Sequence, residues 1–284
     1  MLTGKSVLVT GGSRGIGFAC AAEALRAGAS VTLCARGATE LRAAHDLLAG
    51  EFGADRVVAQ PADVSSEADV ERVCAAAAGV FGGIDAVIHA AAVLAPIGNV
   101  LEVDPAAWRA NLDVNVFGTF AVVRHAGRHM RGRGGRIVAF SGGGASGPFP
   151  NYTAYACSKV AVVRFVETVA HELRAEGIEI NALAPGFVAT RMHQETLAAG
   201  AEAAGSDYLE RTKGELESGG VPPEVPAAAA VFLISDAARG ITGKFVSAVY
   251  DGWQTWPEHL AEIEGSDLFT LRRIVPKERG LSWQ

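Results

Sequence analysis

The sequence predicts an α/β fold: one doubly wound domain with a mostly parallel, seven-stranded sheet and helices on both faces. Two observations predict it. Short β-branched runs alternate with longer Ala-rich segments of helix length along the 284 residues. The runs lack inside/outside alternation, as strands covered on both faces do. The strands are read at Ser6–Thr10, Ser30–Ala35, Arg56–Gln60, Asp85–His89, Arg136–Ser141, Ile178–Leu183 and Lys244–Val249. Helices are read between them at 15–28, 37–52, 66–81, 105–131, 153–176 and 223–235. Residues 190–221 read as a polar, Ala/Gly-rich excursion that forms a flexible lid. Residues 1–252 are read as one unit, and 253–284 as a separate C-terminal extension.

Composition narrows the function. Apolar residues make up 49% and charged residues 20%, too apolar for a disordered chain. A net charge of −6 argues against a nucleic-acid partner held by phosphate neutralisation. No apolar stretch is long enough to span a membrane, and the first residues carry no signal-peptide pattern. Cys20, Cys34, Cys74 and Cys157 fit no zinc spacing and read as reduced thiols of a cytoplasmic protein. No metal site is expected. His125 and His129 are four apart but lack a third ligand, and read as part of a solvated basic surface.

After the first strand comes Gly11-Gly-Ser13-Arg14-Gly15-Ile16-Gly17, then a helical run. A strand, a glycine turn and a helix N-terminus in that order make an anion site, because free N–H groups and the positive helix end face the ligand. The spacing differs from the usual dinucleotide fingerprint. No acid stands between Ser30 and Arg36 to hold a ribose hydroxyl. Arg36 and Arg14 instead offer guanidinium forks suited to a 2′-phosphate, which favours NADP(H) over NAD(H).

Tyr155-Ala-Cys-Ser-Lys159 opens the helix read at 153–176, and positions four apart share a face. Bringing a phenol from its ordinary pKa of about 10 to 7 requires about 4 kcal/mol. An ammonium about 4 Å away supplies roughly that much at an effective dielectric of about 20.

These residues, with Asn115, Ser141 and Pro185-Gly186, resemble the short-chain dehydrogenase/reductase family over roughly residues 3–252. The resemblance implies a Rossmann-type fold and a set of roles. Tyr155 is the general acid/base, and Lys159 lowers its pKa and holds the nicotinamide ribose. Ser141 hydrogen-bonds the substrate carbonyl. Asn115 supports a water-mediated relay to Lys159. Asp63 and Val64 sit at the adenine. Pro185, Gly186, Val188 and Thr190 line the nicotinamide, and Ala90 and Ala91 border the cofactor. A homodimer or homotetramer is implied, because the corresponding long helices often pack between subunits.

Two departures stand out. The family's Asn-Asn-Ala-Gly turn is replaced by His89-Ala-Ala-Ala92, with His89 read as a structural substitute. The catalytic serine is usually one residue nearer the tyrosine than Ser141; that position is Gly142. The extra residue in 147–151 is taken to return Ser141 to the site, with Ser146 as fallback. In the tail, Trp253, Trp256, Phe269 and Trp283 call for burial, on this subunit or on a partner.

The expected activity is hydride transfer between NADP(H) and a ketone or secondary alcohol. The 190–221 segment is neither strongly apolar nor basic, which favours a sugar- or cyclitol-like ketone. A 3-oxoacyl or polyketide-type ketone is the rival substrate. A non-catalytic NADP(H) sensor is the reading from another class; the intact Tyr155, Lys159 and Asn115 set argues against it.

Overall fold

The structure is a computed structural model and describes residues 1–283. The strands are β1 (Ser6–Thr10), β2 (Ser30–Ala35), β3 (Val57–Pro61), β4 (Ala86–His89), β5 (Gly135–Phe140), β6 (Ile178–Ala184) and β7 (Phe245–Ser247). They form one seven-stranded sheet in the order β3-β2-β1-β4-β5-β6-β7. Every pairing is parallel. The order reverses between β1 and β4, so the crevice for a ligand opens there, at the carboxyl ends of the strands.

The helices are α1 (Gly15–Arg26), α2 (Ala38–Phe52), α3 (Glu67–Phe81), α4 (Pro105–Leu112), α5 (Gly118–Met130), α6 (Thr153–Leu173), α7 (Arg191–Ala204), α8 (Ser206–Glu217), α9 (Glu224–Leu233) and α10 (Leu260–Glu264). Helices α1, α2 and α9 cover one face of the sheet, burying Leu25, Leu41, Leu48 and Leu233 against Val7 and Val9. Helices α3, α5 and α6 cover the other, burying Val70, Val122, Met130 and Val166 against Leu8 and Val87. Both faces of each central strand are therefore dry, which is why the runs show no alternation.

Three expectations need correction. The segment read as one helix over 105–131 is two, α4 and α5, joined by a widened π turn over Asp113–Phe117. Asp104 and Pro105 start it, with the Asp104 carboxylate accepting from Ala106 and Ala107 N–H. The 190–221 excursion is largely helical, as α7 and α8. His125 is buried rather than solvated, and its Nε2 lies 3.2 Å from Glu67 Oε1; His129 is exposed.

The C-terminal extension lies on its own subunit. Trp253 and Trp256 join the core beneath α9, and Trp256 stacks obliquely on Phe269 at 4.1 Å. The buried Lys244 ammonium donates to the carbonyls of Ile263 (2.7 Å) and Leu268 (3.1 Å), and Glu167 accepts from Leu271 N–H (2.6 Å). Trp283 is exposed. No helix among the described residues is long and apolar enough to cross a membrane.

Candidate active site

The first loop is folded tightly onto the turn after β4. Gly11 has φ +67°, and a Cβ there would stand 2.8 Å from Ala91 N. A Cβ on Gly17 would stand 2.2 Å from Gly11 O. Only glycine lets these backbones approach so closely. Thr10 ties the loop down, since its hydroxyl pairs with His89 Nδ1 (2.7 Å) and accepts from Ala91 N–H (3.3 Å). The result is a tight glycine turn at the start of α1, a helix N-terminus of the kind that suits an anion.

The two sequence-predicted arginines differ in their freedom. Arg14 donates to both oxygens of Glu40 (3.0 and 3.2 Å), and Arg191 leans on the same carboxylate at 3.8 Å. Arg36 has one loose pair, 3.9 Å to Asp63, with both side chains exposed. Such a pair is worth under about 1 kcal/mol, so Arg36 is free to turn to a ligand. The Asp63 carboxylate otherwise caps the turn into α3, accepting from Ser65 N–H and Oγ–H. Val64 is buried against Gly118 of α5. Glu40 and Arg191 escaped the sequence reading, because no motif marks a carboxylate that reaches back from the helix after β2.

Tyr155 and Lys159 come one turn apart on α6, both buried. The Lys159 ammonium lies 5.5 Å from the Tyr155 ring centroid and donates to the Phe140 carbonyl (2.9 Å). Burial lowers the Lys159 amine to about 8. Burial pushes the Tyr155 phenol well above its ordinary value, and Tyr208 adds to the rise. The phenol is therefore not acidic by its position on the helix alone, contrary to the simple spacing argument. The ammonium's field opposes burial, and burial is the larger effect.

The serine is where sequence and structure part. Ser141 is 2% exposed, and its hydroxyl donates to the Lys159 carbonyl inside α6 (3.2 Å). The position that faces the phenol is 142: a Cβ on Gly142 would lie 2.5 Å from Tyr155 Oη. Ser141 and the fallback Ser146 both line the cavity that holds Tyr155 and Lys159, with the Ser141 hydroxyl turned to the Lys159 carbonyl. Ser146 is exposed and bonds Gly143 O (3.3 Å).

Asn115 sits in the π turn. Its amide is used fully on the loop after β4 and on α6. Oδ1 accepts from Val93 N–H (2.9 Å), and Nδ2 donates to Val93 O, Asn111 Oδ1 and Ser158 Oγ. Its main-chain carbonyl accepts from Thr119 (2.7 Å).

A cavity of about 1070 Å³ opens over Tyr155 and Lys159 and takes in Ile16, Ala90, Pro185, Gly186, Val188 and Thr190. Gly11, Ser13, Arg14, Gly15, Gly17, Arg36, Asp63, Val64, Ala91 and Asn115 stand outside its lining. Part of the wall is aromatic: Phe149 stacks on Tyr152 at 4.3 Å and meets Tyr208 edge-on at 4.7 Å. Another part is polar, with Asn151, Ser206, Asp207 and Arg211. Phe269 of the C-terminal extension also reaches this cavity. The glycine turn after β1, the buried Tyr155–Lys159 pair and the sheet order match one known family. A family model described as enoyl-(acyl carrier protein) reductase matches residues 11–252.

The chain belongs to the short-chain dehydrogenase/reductase family.

L-Rhamnose 1-dehydrogenase (NAD(P)(+)) of Azotobacter vinelandii is 33% identical over 257 residues, covering 89% of this chain and 97% of that protein. Galactitol 2-dehydrogenase (L-tagatose-forming) of Cereibacter sphaeroides is 36% identical over 261 residues, covering 90% and 97%. A dehydrogenase/reductase from Sinorhizobium meliloti 1021 superposes with a TM-score of 0.75 at 28% identity, covering 87% of this chain and 94% of that one. As a member of this short-chain dehydrogenase/reductase family, the protein is an oxidoreductase of CH–OH groups that uses a nicotinamide cofactor.

Proposed function

We propose that the protein is an NADP(H)-dependent oxidoreductase that interconverts a secondary alcohol and a ketone of sugar- or polyol-like type, with Tyr155 as general acid/base. The observation that carries this is the burial of Tyr155 and Lys159 together at the cavity beside the dinucleotide cradle. The bound cofactor supplies the hydride chemistry. Gly11, Ser13, Gly15, Ile16 and Gly17 would hold its phosphates, with Asp63 and Val64 at the adenine. Ala90, Ala91, Pro185, Gly186, Val188 and Thr190 would enclose its nicotinamide end. Arg36, the freer guanidinium, would take the 2′-phosphate, assisted by Arg14 once it leaves Glu40.

In alcohol oxidation Tyr155 Oη takes the hydroxyl proton, and in ketone reduction it gives one to the carbonyl oxygen. Lys159 stabilises the phenolate through its positive field. Ser141 positions α6 through its bond to the Lys159 carbonyl, and Asn115 positions the loop after β4 against Ser158. The substrate class rests on the mixed cavity wall. Aromatic faces suit the C–H surface of a sugar, and Asn151, Ser206, Asp207 and Arg211 suit its hydroxyls. The names of the rhamnose and galactitol enzymes point the same way. A homodimer or homotetramer is part of the proposal, supported by the exposed Phe117, Phe120 and Val160 on the π turn, α5 and α6.

Two measurements test it. With a panel of sugars, polyols and 3-oxoacyl thioesters, turnover is followed by the absorbance of the reduced nicotinamide. Tyr155→Phe is expected to lower kcat by about 10³-fold while cofactor binding persists; retained turnover refutes the role. Arg36→Ala is expected to weaken NADPH by about 10–100-fold, the loss of a charge-assisted contact of about 1.5–3 kcal/mol, and to leave NADH nearly unchanged. Equal losses refute the 2′-phosphate site.

A further inference from the structure

Glu40 lies in the first turn of α2 and ties together three elements around the proposed cofactor site. Arg14, the residue before α1, donates from Nη1 to both Glu40 oxygens (3.0 and 3.2 Å). Arg191, which opens α7, brings its Nη1 within 3.8 Å of Glu40 Oε1. Thr190, just before it, packs on the glycine turn: a Cβ on Gly15 would stand 3.4 Å from its Cγ2. The chain leaves room for the carboxylate to fold back this way. Gly37 precedes α2, and a Cβ there would stand 3.3 Å from Glu40 Oε2.

Guanidinium groups converging on one point are a common way for a protein to hold a phosphate. Here the chain's own carboxylate fills that point. Arg14 is one of the two guanidiniums that the proposed NADP(H) reading turns toward the 2′-phosphate. The other, Arg36, has its own acid, Asp63, at 3.9 Å. The two acids are not held alike. Asp63 Oδ1 also accepts from Ser65 N–H (2.9 Å) and Oγ–H (2.7 Å), so it keeps its place when Arg36 leaves. Among the described residues, the partners of Glu40 are Arg14 and Arg191. All three side chains are more than half exposed. Ion pairs of that kind are weak and exchange partners readily. A 2′-phosphate must therefore take Arg14 from Glu40, and its negative charge is repelled by the carboxylate it displaces. The 2′-hydroxyl of NAD(H) carries no charge and meets neither obstacle.

We infer that Glu40 is a specificity-determining residue: its carboxylate stands in for the 2′-phosphate on Arg14 and Arg191, and so narrows the preference for NADP(H) over NAD(H). The inference rests on the proposed cofactor reading and adds the group that opposes the arginines. It assigns to α2 a part in cofactor choice that no motif marks.

The test is calorimetric and needs no turnover. The full-length protein is titrated with NADPH and NADH, and with 2′,5′-ADP and 5′-AMP, fragments that carry and lack the 2′-phosphate. Glu40→Gln keeps the shape of the side chain and removes its charge. The NADPH-to-NADH affinity ratio should rise by about 3–10-fold, and the ratio for the two fragments by a similar factor. Glu51→Gln, the same change of charge near the other end of α2, should leave both ratios within about twofold. In an Arg14→Gln background, Glu40→Gln should lose at least half of its gain on a logarithmic scale, because the contested guanidinium is gone. An unchanged ratio in Glu40→Gln would overturn the inference. So would an equal rise in Glu51→Gln, or a gain that persists in full without Arg14, since either would make Glu40 one charge among many. If the wild type binds none of the four ligands, the proposed cofactor site fails and the inference falls with it. If it binds them and Glu40→Gln leaves the ratios alone, the inference alone is lost.

Discussion

Two glycine runs flank the candidate site, Gly11–Gly17 after β1 and Gly142–Gly144 after β5, and their glycines are there for different reasons. In the first, backbone meets backbone: the missing Cβ of Gly17 would strike the Gly11 carbonyl at 2.2 Å. In the second, backbone meets side chain and helix. The missing Cβ of Gly142 would strike the Tyr155 phenol at 2.5 Å, and that of Gly144 would strike the Ala156 Cα of α6 at 2.7 Å. The first run packs two backbone segments tightly at the proposed phosphate site. The second seats α6, so its glycines bear on Tyr155. In the proposed reaction, glycines would thus serve binding in one loop and placement of the acid/base in the other.

Three changes test that contrast. The largest effect is expected from Gly17→Ala, where two backbones have no room to yield. Cofactor affinity should fall by more than about 100-fold, or the chain should fail to fold; titration with NADPH and thermal melting read this out, and near-normal binding would show the loop to be pliant. Next comes Gly142→Ser. Here the phenol end of a side chain can swing away, so cofactor binding should hold while kcat drops by about 10–100-fold. A rise in turnover instead would mean that the site lacked a serine hydroxyl, and the contrast would break.

The smallest effect is on stability against pH, because each run follows a residue tied to a buried base. Thr10 is tied to His89 and Phe140 to Lys159. His89 sits at about 3 in the fold against an ordinary 6.5. Between those values the unfolded chain binds a proton that the folded one refuses, so stability falls as pH drops below 6.5, by up to about 1.4 kcal/mol per pH unit. Lys159, at about 8 rather than 10.5, gives a gain in stability as pH rises through that window. Melting temperature should decline from pH 6.5 to 4.5, and His89→Asn should flatten the decline; an unchanged slope would show that His89 titrates normally.

Much of the fold was legible in the sequence because strands buried on both faces leave unbroken β-branched runs. The first two strands match residue for residue, and the rest shift by a residue or more at an end. The 105–131 helix hid its π turn, where Asn115 bonds Val93 across a loop, a contact with no local signature. Helices α7 and α8 were hidden by glycines at 200 and 205, and few of their residues are buried. The burial of His125 depends on Glu67, 58 residues earlier.

By itself, the sequence determined the strand–glycine–helix order, the parallel sheet and the pairing of Tyr155 with Lys159 on one helix face. Each of these follows from spacing along a single element. Tertiary structure alone decided which way Ser141 turned, that Gly142 faces the phenol, that Glu40 reaches Arg14, and that His89 pairs with Thr10. Those depend on where separate elements come to rest against one another. A side chain's partner across the sheet is set by packing, and packing leaves no period in the chain.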